Sequence, residues 1–401
     1  MEFQIRALAA TRRADESGVM RRARSDHGSP MAWADARRTA HAAAQPLPAE
    51  PIALADALDR VLAGPLAALV DVPSADCSAM DGYAVCGPGP WTVVAHVRAG
   101  EPTPGALRPG TACEIATGAA VPDGTSAVVP YERSERSGDR VGGRVGPGTH
   151  IRRAGEETAA GTDVLPAGHL LGPAALGLAA GVGHEKLTVR RAPQVSALVT
   201  GDEVLDAGIP GAGRVRDAIG PMLPGLVARA GSGLTVVTRL TDSRDALTSA
   251  LAAASTDVVV VSGSSSRGPA DHLRPVLADL DAEMIVDGVA CRPGHPQTLA
   301  RLPGGPFVVG LPGNPLAAFV AFLTLALPVL TGLRGAPLAT LPPGPPLPTH
   351  PHDTRLVPVQ VRNGVVTEVA HAGSAMLRGL AVADALAVVD PSGATVLHPL
   401  P

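Results

Sequence analysis

The stretch Asp76-Cys-Ser-Ala-Met-Asp-Gly-Tyr-Ala-Val85 is the most informative in this 401-residue chain. Aromatic residues are only 2% of the sequence, and Tyr83 is one of two tyrosines. Here it stands beside a Met, an Asp and a Gly, shortly after Val72-Pro73. Gly82 lets the backbone approach a neighbour closely or take a positive φ, which makes Asp81 a carboxylate held at a bend. Read locally, the stretch is a turn entering a strand at 83–85, with Asp81 as the turn residue.

Around it, the length calls for two to four domains. A hydrophobic content of 45% marks a globular chain, and a net charge of −4 gives no reason to expect nucleic acid as a partner. Cys77, Cys86, Cys113 and Cys291 are scattered without a C-x-x-C pair, which points to reduced thiols in a cytoplasmic protein. Lys186 is the only lysine and arginine is abundant, so an Arg here can stand where a relative carries Lys. Residues 1–30 read as a basic, weakly ordered extension without the apolar core of a signal peptide. Residues 315–333 are almost wholly apolar and nearly long enough to span a bilayer. Pro328 interrupts them and a strand precedes them, so a buried crossover helix is the reading, with no membrane partner.

The coarse pattern is an α/β multidomain chain. Helices are expected at 33–44 and at 52–70, the second with Leu54, Leu58, Val61 and Leu62 on one face. A further helix opens at Pro173 and is closed by Gly181 and Gly183. Together these give an elongated helical linker region, 31–80 with 150–192. Between its halves, 81–149 reads as a small β domain. In 193–334, apolar runs at 195–200, 257–262 and 307–310 alternate with helical patterns at 221–229, 244–254 and 315–327. That alternation predicts a central parallel sheet with helices on both faces. Residues 342–348 are a proline-rich linker, and 335–401 form a C-terminal β domain with a type I′ hairpin at Asn363-Gly364.

Ligands bind at the carboxyl ends of the strands in such sheets. Three loops fall there: Thr200-Gly-Asp-Glu203, Ser262-Gly-Ser-Ser-Ser-Arg267 running on to Asp271, and Leu311-Pro-Gly-Asn-Pro315. The second is either an anion cradle, with Gly263, Ser264, Ser265, Ser266 and Arg267 offering N–H groups, hydroxyls and a guanidinium, or a flexible Ser/Gly loop. It is not a Walker A loop, since no Gly-Lys-Ser/Thr follows. Asn314 fits an N-cap and Pro315 the first helical position, and a helix start of that kind attracts oxyanions. Asp202, Glu203, Asp242 and Asp271 are either solvated and capping groups or, converging, ligands for a hard cation such as Mg²⁺.

Taken in order, the motifs resemble those of the molybdopterin molybdenumtransferases, the MoeA and gephyrin E-domain family. The resemblance rests on Ser78-Ala-Met-Asp-Gly-Tyr-Ala84, Thr117-Gly-Ala-Ala-Val-Pro122, Arg152-Arg-Ala-Gly-Glu-Glu157, Thr200–Glu203, Ser262–Asp271, Arg292-Pro-Gly-His-Pro296, Leu311–Pro315 and the segment from Gly373-Ser374. It implies a MogA-like central domain and the last step of molybdenum cofactor assembly. Adenylylated molybdopterin and molybdate are the substrates, molybdate is inserted, AMP is released, and the enzyme is a homodimer. It also implies catalytic roles for Asp81, Thr117, Glu157, Glu203, Asp271 and Arg292, and Mg²⁺ ligation by Glu203, Asp242 and Asp271. Substrate contacts follow for Ser78, Gly263, Ser264, Ser265, Ser266, Arg267, Pro312, Gly313, Asn314, Pro315, Arg355 and Ser374. On that pattern Asp81, Thr117 and Glu157 reach the cleft from the second subunit.

The chain departs from the family at Glu157, usually Asp, and at Gly288 and Arg292, where two lysines four apart are common. Asp217-Ala-Ile219 stands for Asp-x-Asn, and Gly263-Ser-Ser-Ser266 for Gly-Gly-Val-Ser. A non-catalytic relative that binds molybdopterin or a partner is the alternative reading. An unrelated nucleotide-dependent enzyme would need a phosphate-loop lysine or Gly-x-Gly-x-x-Gly, and neither is present.

Overall fold

The computed structural model describes residues 29–263 and 271–400. The expected extension at 1–30 and the residues Ser264 to Arg267 lie outside them, except for the last two of the former. The chain divides into two compact units. One comprises residues up to Ala44, 194–330 and 338–401, and the other comprises 45–193 with 331–337.

The first unit is organised by a six-stranded sheet in the order Gly233–Arg239, Gln194–Val199, Val258–Ser262, Phe307–Leu311, Thr298–Arg301, Glu283–Asp287. Val258-Val-Val-Val-Ser262 lies in its middle and is buried along its whole length. A strand covered on both faces needs a continuous β-branched run rather than an alternating one. The helices Arg244–Ala252 and Leu273–Asp279 cover one face, packing Leu247, Leu251, Leu273, Val276 and Leu277 on Leu198, Val259, Val261 and Val308.

The sheet is mixed, not parallel throughout. The first four strands are parallel, Thr298–Arg301 runs antiparallel to both its neighbours, and Glu283–Asp287 beyond it returns to the common direction. Helix Leu273–Asp279 precedes Glu283–Asp287, but no helix separates Glu283–Asp287, Thr298–Arg301 and Phe307–Leu311, so the strand–helix alternation that gives parallel neighbours lapses there. The parallel part places Val199, Ser262 and Leu311 side by side in register, so the three loops at 200, 263 and 312 leave from one edge. Counted in chain order these four strands stand 2-1-3-4. The first two of the loops therefore diverge at the point where the order reverses, which is where such sheets open a crevice.

Pro315–Ala321 begins a long apolar helix that continues through a π-helical turn, Phe322–Ala326. By length and composition Pro315–Leu333 would suffice to cross a membrane, yet 89% of its apolar window is buried inside the protein. Helix Trp33–Ala43 docks on it, with Trp33 Nε1 donating to Thr324 Oγ1 at 3.0 Å.

A second sheet of the same unit joins Met31–Ala32, Val289–Arg292, Thr354–Arg362, Ala385–Val389 and Thr395–Pro399, with Val365–Glu368 hairpinned onto Thr354–Arg362. The hairpin is as the sequence predicts, with φ of 50° at Asn363 and 79° at Gly364. Residues 342–348 are not a free linker. Leu397 N–H donates to Pro342 O at 2.8 Å and Gly344 N–H to Thr395 O at 2.9 Å, so part of the segment runs along the edge strand.

The second unit holds another six-stranded sheet, in the order Ala127–Pro130, Gly82–Val85, Thr111–Ile115, Trp91–Val97, Arg140–Gly143, Ser134–Ser137. The helix expected at 52–70 does not form. Strand Ala49–Ala53, a short 3₁₀ turn at Leu54–Asp56 and strand Leu66–Ala67 take its place. Gly64-Pro65 breaks any helix there. Ala49–Ala53 pairs instead with Lys186–Arg190, and Leu62 packs beside Leu187 and Val189. Leu58, on the proposed apolar face, is 50% exposed. The helix at Pro173–Gly181 forms as read.

Candidate functional site

Three of the quoted motifs meet in the second unit. Strand Cys77–Ser78 pairs with Ile151–Arg152. Gly118 N–H donates to Ser78 O at 2.8 Å, and Val121 N–H to Asp76 O at 3.0 Å. Asp76 accepts the Ala154 N–H at 2.9 Å and an Arg153 guanidinium N–H, and these donors hold its carboxyl below the usual range. Gly82 is required by close approach, since a Cβ would fall 2.0 Å from Val129 O.

Asp81 and Thr117, 36 residues apart in the chain, are in direct contact, the Thr117 N–H reaching Asp81 Oδ1 at 2.6 Å. That backbone donor pulls the Asp81 carboxyl below its ordinary range, so it is a committed anion. Glu157 follows on the same tied segment, its N–H on Val72 O at 3.0 Å. Ser78 is a correction to the expected substrate contacts. It is fully buried and its Oγ donates to Met80 O at 2.6 Å, which closes the turn before Asp81 and leaves no surface for a ligand.

The first unit contains a cavity of about 730 Å³ at the carboxyl ends of its sheet. Glu203, Asp242 and Asp271 line it, as do Gly263, Pro312, Gly313, Asn314 and Pro315. Gly263 has φ +86°, and a Cβ there would lie 2.5 Å from Thr200 Oγ1. Asp202 and Asp242 exchange backbone bonds. Asp242 Oδ2 accepts the Asp202 N–H at 3.1 Å, and Asp202 Oδ1 accepts the Asp242 N–H at 3.3 Å. Each carboxylate thus pins the other's loop. Among the described residues no group of three His, Cys, Asp or Glu side chains is arranged to hold a metal ion. The carboxylates share a cavity without forming a cage.

Asp217 also lines this cavity, a residue noted in the sequence only as a departure. Its Oδ1 accepts the N–H groups of Ile219 and Gly220, both at 2.9 Å, and its Oδ2 pairs with Arg239. The residue just before helix Leu273–Asp279 is His272, whose side chain makes no cap.

The helix start at Asn314-Pro315 corrects another expectation. The Leu316 and Ala317 N–H groups donate to Ser374 O at 2.9 and 3.2 Å, and the Ala318 N–H to Asn314 O. A protein carbonyl therefore takes the donors that an oxyanion would need. Asn314 makes no side-chain cap, and its Nδ2 donates to Ser374 Oγ at 3.3 Å instead.

A second cavity, of about 420 Å³, brings together Arg292, Arg355 and Ser374, with His350 and Glu368. Parallel pairing of Val289–Arg292 with Thr354–Arg362 sets Arg292 directly beside Arg355. Arg292 Nε donates to Asp353 Oδ2 at 2.6 Å, and Arg355 donates to both Glu368 oxygens at 3.3 and 3.2 Å. The Arg292–Pro296 loop touches both cavities, Pro293 lining the second and Pro296 the first. His350 and Asp353 were not singled out in the sequence, because only the strand pairing brings them to Arg292. Gly288, where a lysine is common in the resembling family, has φ +88° and lines neither cavity.

Comparison with known proteins covers nearly all of this frame. The family model of the MoeA N-terminal region, domains I and II, matches residues 31–183. A probable molybdopterin binding domain matches 196–332, and the MoeA C-terminal region, domain IV, matches 342–397. The chain is 35% identical over 306 residues to molybdopterin molybdenumtransferase 2 of Mycobacterium tuberculosis, covering 71% of this chain and 75% of that protein. It is also 35% identical to the molybdopterin molybdenumtransferase of a Nostoc species, over 69% of this chain and 67% of that one. The solved molybdopterin biosynthesis MoeA protein of Pyrococcus horikoshii shares the fold, with a TM-score of 0.77 at 22% identity over 93% of this chain and 98% of that one.

Proposed function

The chain belongs to the molybdopterin molybdenumtransferase (MoeA) family, and from that premise we propose that it inserts molybdate into adenylylated molybdopterin with release of AMP. Its place is in molybdenum cofactor biosynthesis, as a transferase. The curated relatives carry the transferase name, and a non-catalytic binding role is not favoured.

The observation that carries the finer reading is the pair of cavities in one unit, joined at the Asn314–Ser374 hydrogen bond. The larger suits the phosphate-bearing substrate, and the smaller, with two arginines side by side, suits a tetrahedral dianion. Glu203, Asp242 and Asp271 offer the hard oxygen donors that suit Mg²⁺. That ion binds through one or two carboxylates, waters and substrate phosphates rather than a complete protein cage. When bound it would neutralise charge between these acids and an anionic substrate, which otherwise repel. In this reading Asp242 and Asp217 hold the walls of the cavity, while Glu203 and Asp271 orient the substrate.

Asp81, Thr117 and Glu157 belong to the other unit. We assign them to the cleft of a partner subunit in a homodimer, working in the cytoplasm with the four cysteines as free thiols. A stable monomer by light scattering at micromolar concentration would remove that assignment. The function itself is tested by complementing an insertase-deficient strain. Restored molybdoenzyme activity is the expected result, and none with the protein present at normal levels rejects turnover.

A further inference from the structure

His350 lines the second cavity beside Arg292 and Arg355, and no motif of the sequence points to it. Its Nδ1 lies 3.1 Å from the Asp353 N–H nitrogen and 3.3 Å from that of His352, accepting both. With Nδ1 accepting these backbone donors, and Asp353 Oδ2 3.5 Å away from it, Nε2 is the ring nitrogen left to donate. The two backbone bonds also fix the ring's orientation, as an outer partner fixes an imidazole in a metal site.

The charges around this cavity are already matched. Asp353 pairs with Arg292 and Glu368 with Arg355. An oxyanion entering here meets two cations, each shared with a carboxylate. It gains most from a donor that brings no counter-charge. Position 288 supplies no side chain at all.

We propose that His350 is an oxyanion-binding residue, its Nε2–H donating to the tetrahedral dianion held by Arg292 and Arg355. The proposal rests on the reading of the second cavity as the molybdate site. It adds to that site a neutral, oriented donor, which favours a fully deprotonated oxyanion over one that carries a proton on the contacted oxygen. The competing role for His350 is structural, capping the turn that leads into strand Thr354–Arg362.

Two substitutions separate these roles. His350→Asn keeps an acceptor at the position of Nδ1 and removes the distal donor. His350→Gln keeps a distal donor and gives up the turn acceptor. Equilibrium dialysis with molybdate alone, alongside melting temperature, reads both. The expected result is that His350→Asn melts like wild type but binds molybdate about tenfold or more weakly. His350→Gln should melt lower and bind nearly as wild type. His350→Asn binding as wild type while Arg292→Ala is weakened overturns the role of His350 and leaves the cavity reading standing. His350→Gln binding as weakly as His350→Asn also overturns it. Unchanged binding in both Arg292→Ala and Arg355→Ala removes the cavity as the oxyanion site, and the proposal with it.

Discussion

The two cavities of the first unit differ in how they are made. The larger is built from loops that follow three neighbouring strands, each loop beginning where a β-branched or apolar run stops. Its carboxylates are placed by backbone hydrogen bonds, as in the exchange between Asp202 and Asp242. The smaller is built by one stretch of parallel pairing between segments 63 residues apart in sequence, Cys291 with Thr354 and Arg292 with Arg355. Its cations are held by ion pairs between side chains. On the proposed reading, anion handling is divided between an acidic pocket placed by backbone bonds and a basic one placed by strand pairing and ion pairs. The Arg292–Asp353 pair, with the Arg292 side chain 66% exposed, contributes little to stability, whereas Arg355 is also tied to the Pro348 carbonyl.

That division can be broken by experiment. Asp271→Ala should have the largest effect, lowering the insertion rate about a hundredfold or more at saturating molybdate, because transition-state charge loses a partner worth several kcal/mol. Melting temperature, measured alongside, separates that loss from one of folding, since a purely capping role would cost about 0.5–2 kcal/mol of stability. A normal rate would take Asp271 out of the chemistry. Arg292→Ala should come next. It should raise the molybdate requirement roughly ten- to a hundredfold, for the loss of a charge-assisted bond, and leave the saturated rate alone. If instead the rate falls and the requirement stays, the roles of the cavities are exchanged.

Gly288→Lys sharpens the same point. The substitution forces a side chain onto φ +88°, so stability should fall by about 1–3 kcal/mol with no gain in molybdate use. A lower molybdate requirement would mean that position 288 reaches the oxyanion after all. The smallest effect is expected for Asn314→Ala. An ordinary N-cap loss costs about 0.5–2 kcal/mol, but here the Ser374 carbonyl satisfies the first N–H groups. A melting curve within error of wild type is expected, and a clear drop would restore Asn314 as a cap.

What could be read in the sequence follows from the same contrast. Val258–Ser262 and its two parallel neighbours were legible because strands buried on both faces leave unbroken apolar runs. The Asn363-Gly364 turn was legible because both positions need positive φ. Thr298–Arg301 is too short to carry a pattern. At Gly233–Arg239 Thr, Val and Val are exposed in succession at the sheet's edge, so alternation fails. Residues 52–70 misled because Leu54, Leu58 and Leu62 have helical spacing while tertiary pairing with Lys186–Arg190 wins. Of the site, the loops were visible and the partners were not. The Asp81–Thr117 contact and the placing of His350 by Arg292 depend on pairings between distant segments, and the closure of Ser78 on Met80, though local, depends on a side-chain rotamer that the sequence does not fix.

The Ser374 carbonyl that receives the Leu316 and Ala317 N–H groups bears on how this architecture can be rearranged. The central helix begins on a polar group supplied from almost sixty residues downstream. A truncation before 374, or a graft of the C-terminal sheet from a relative whose segment is one residue out of phase, would expose unmatched donors at the start of a helix that is otherwise almost wholly apolar. The C-terminal segment therefore does not behave as an exchangeable module. It and the central domain are interdependent, and chimaeras in this family should be cut inside the 45–193 unit in preference to anywhere between 315 and 374.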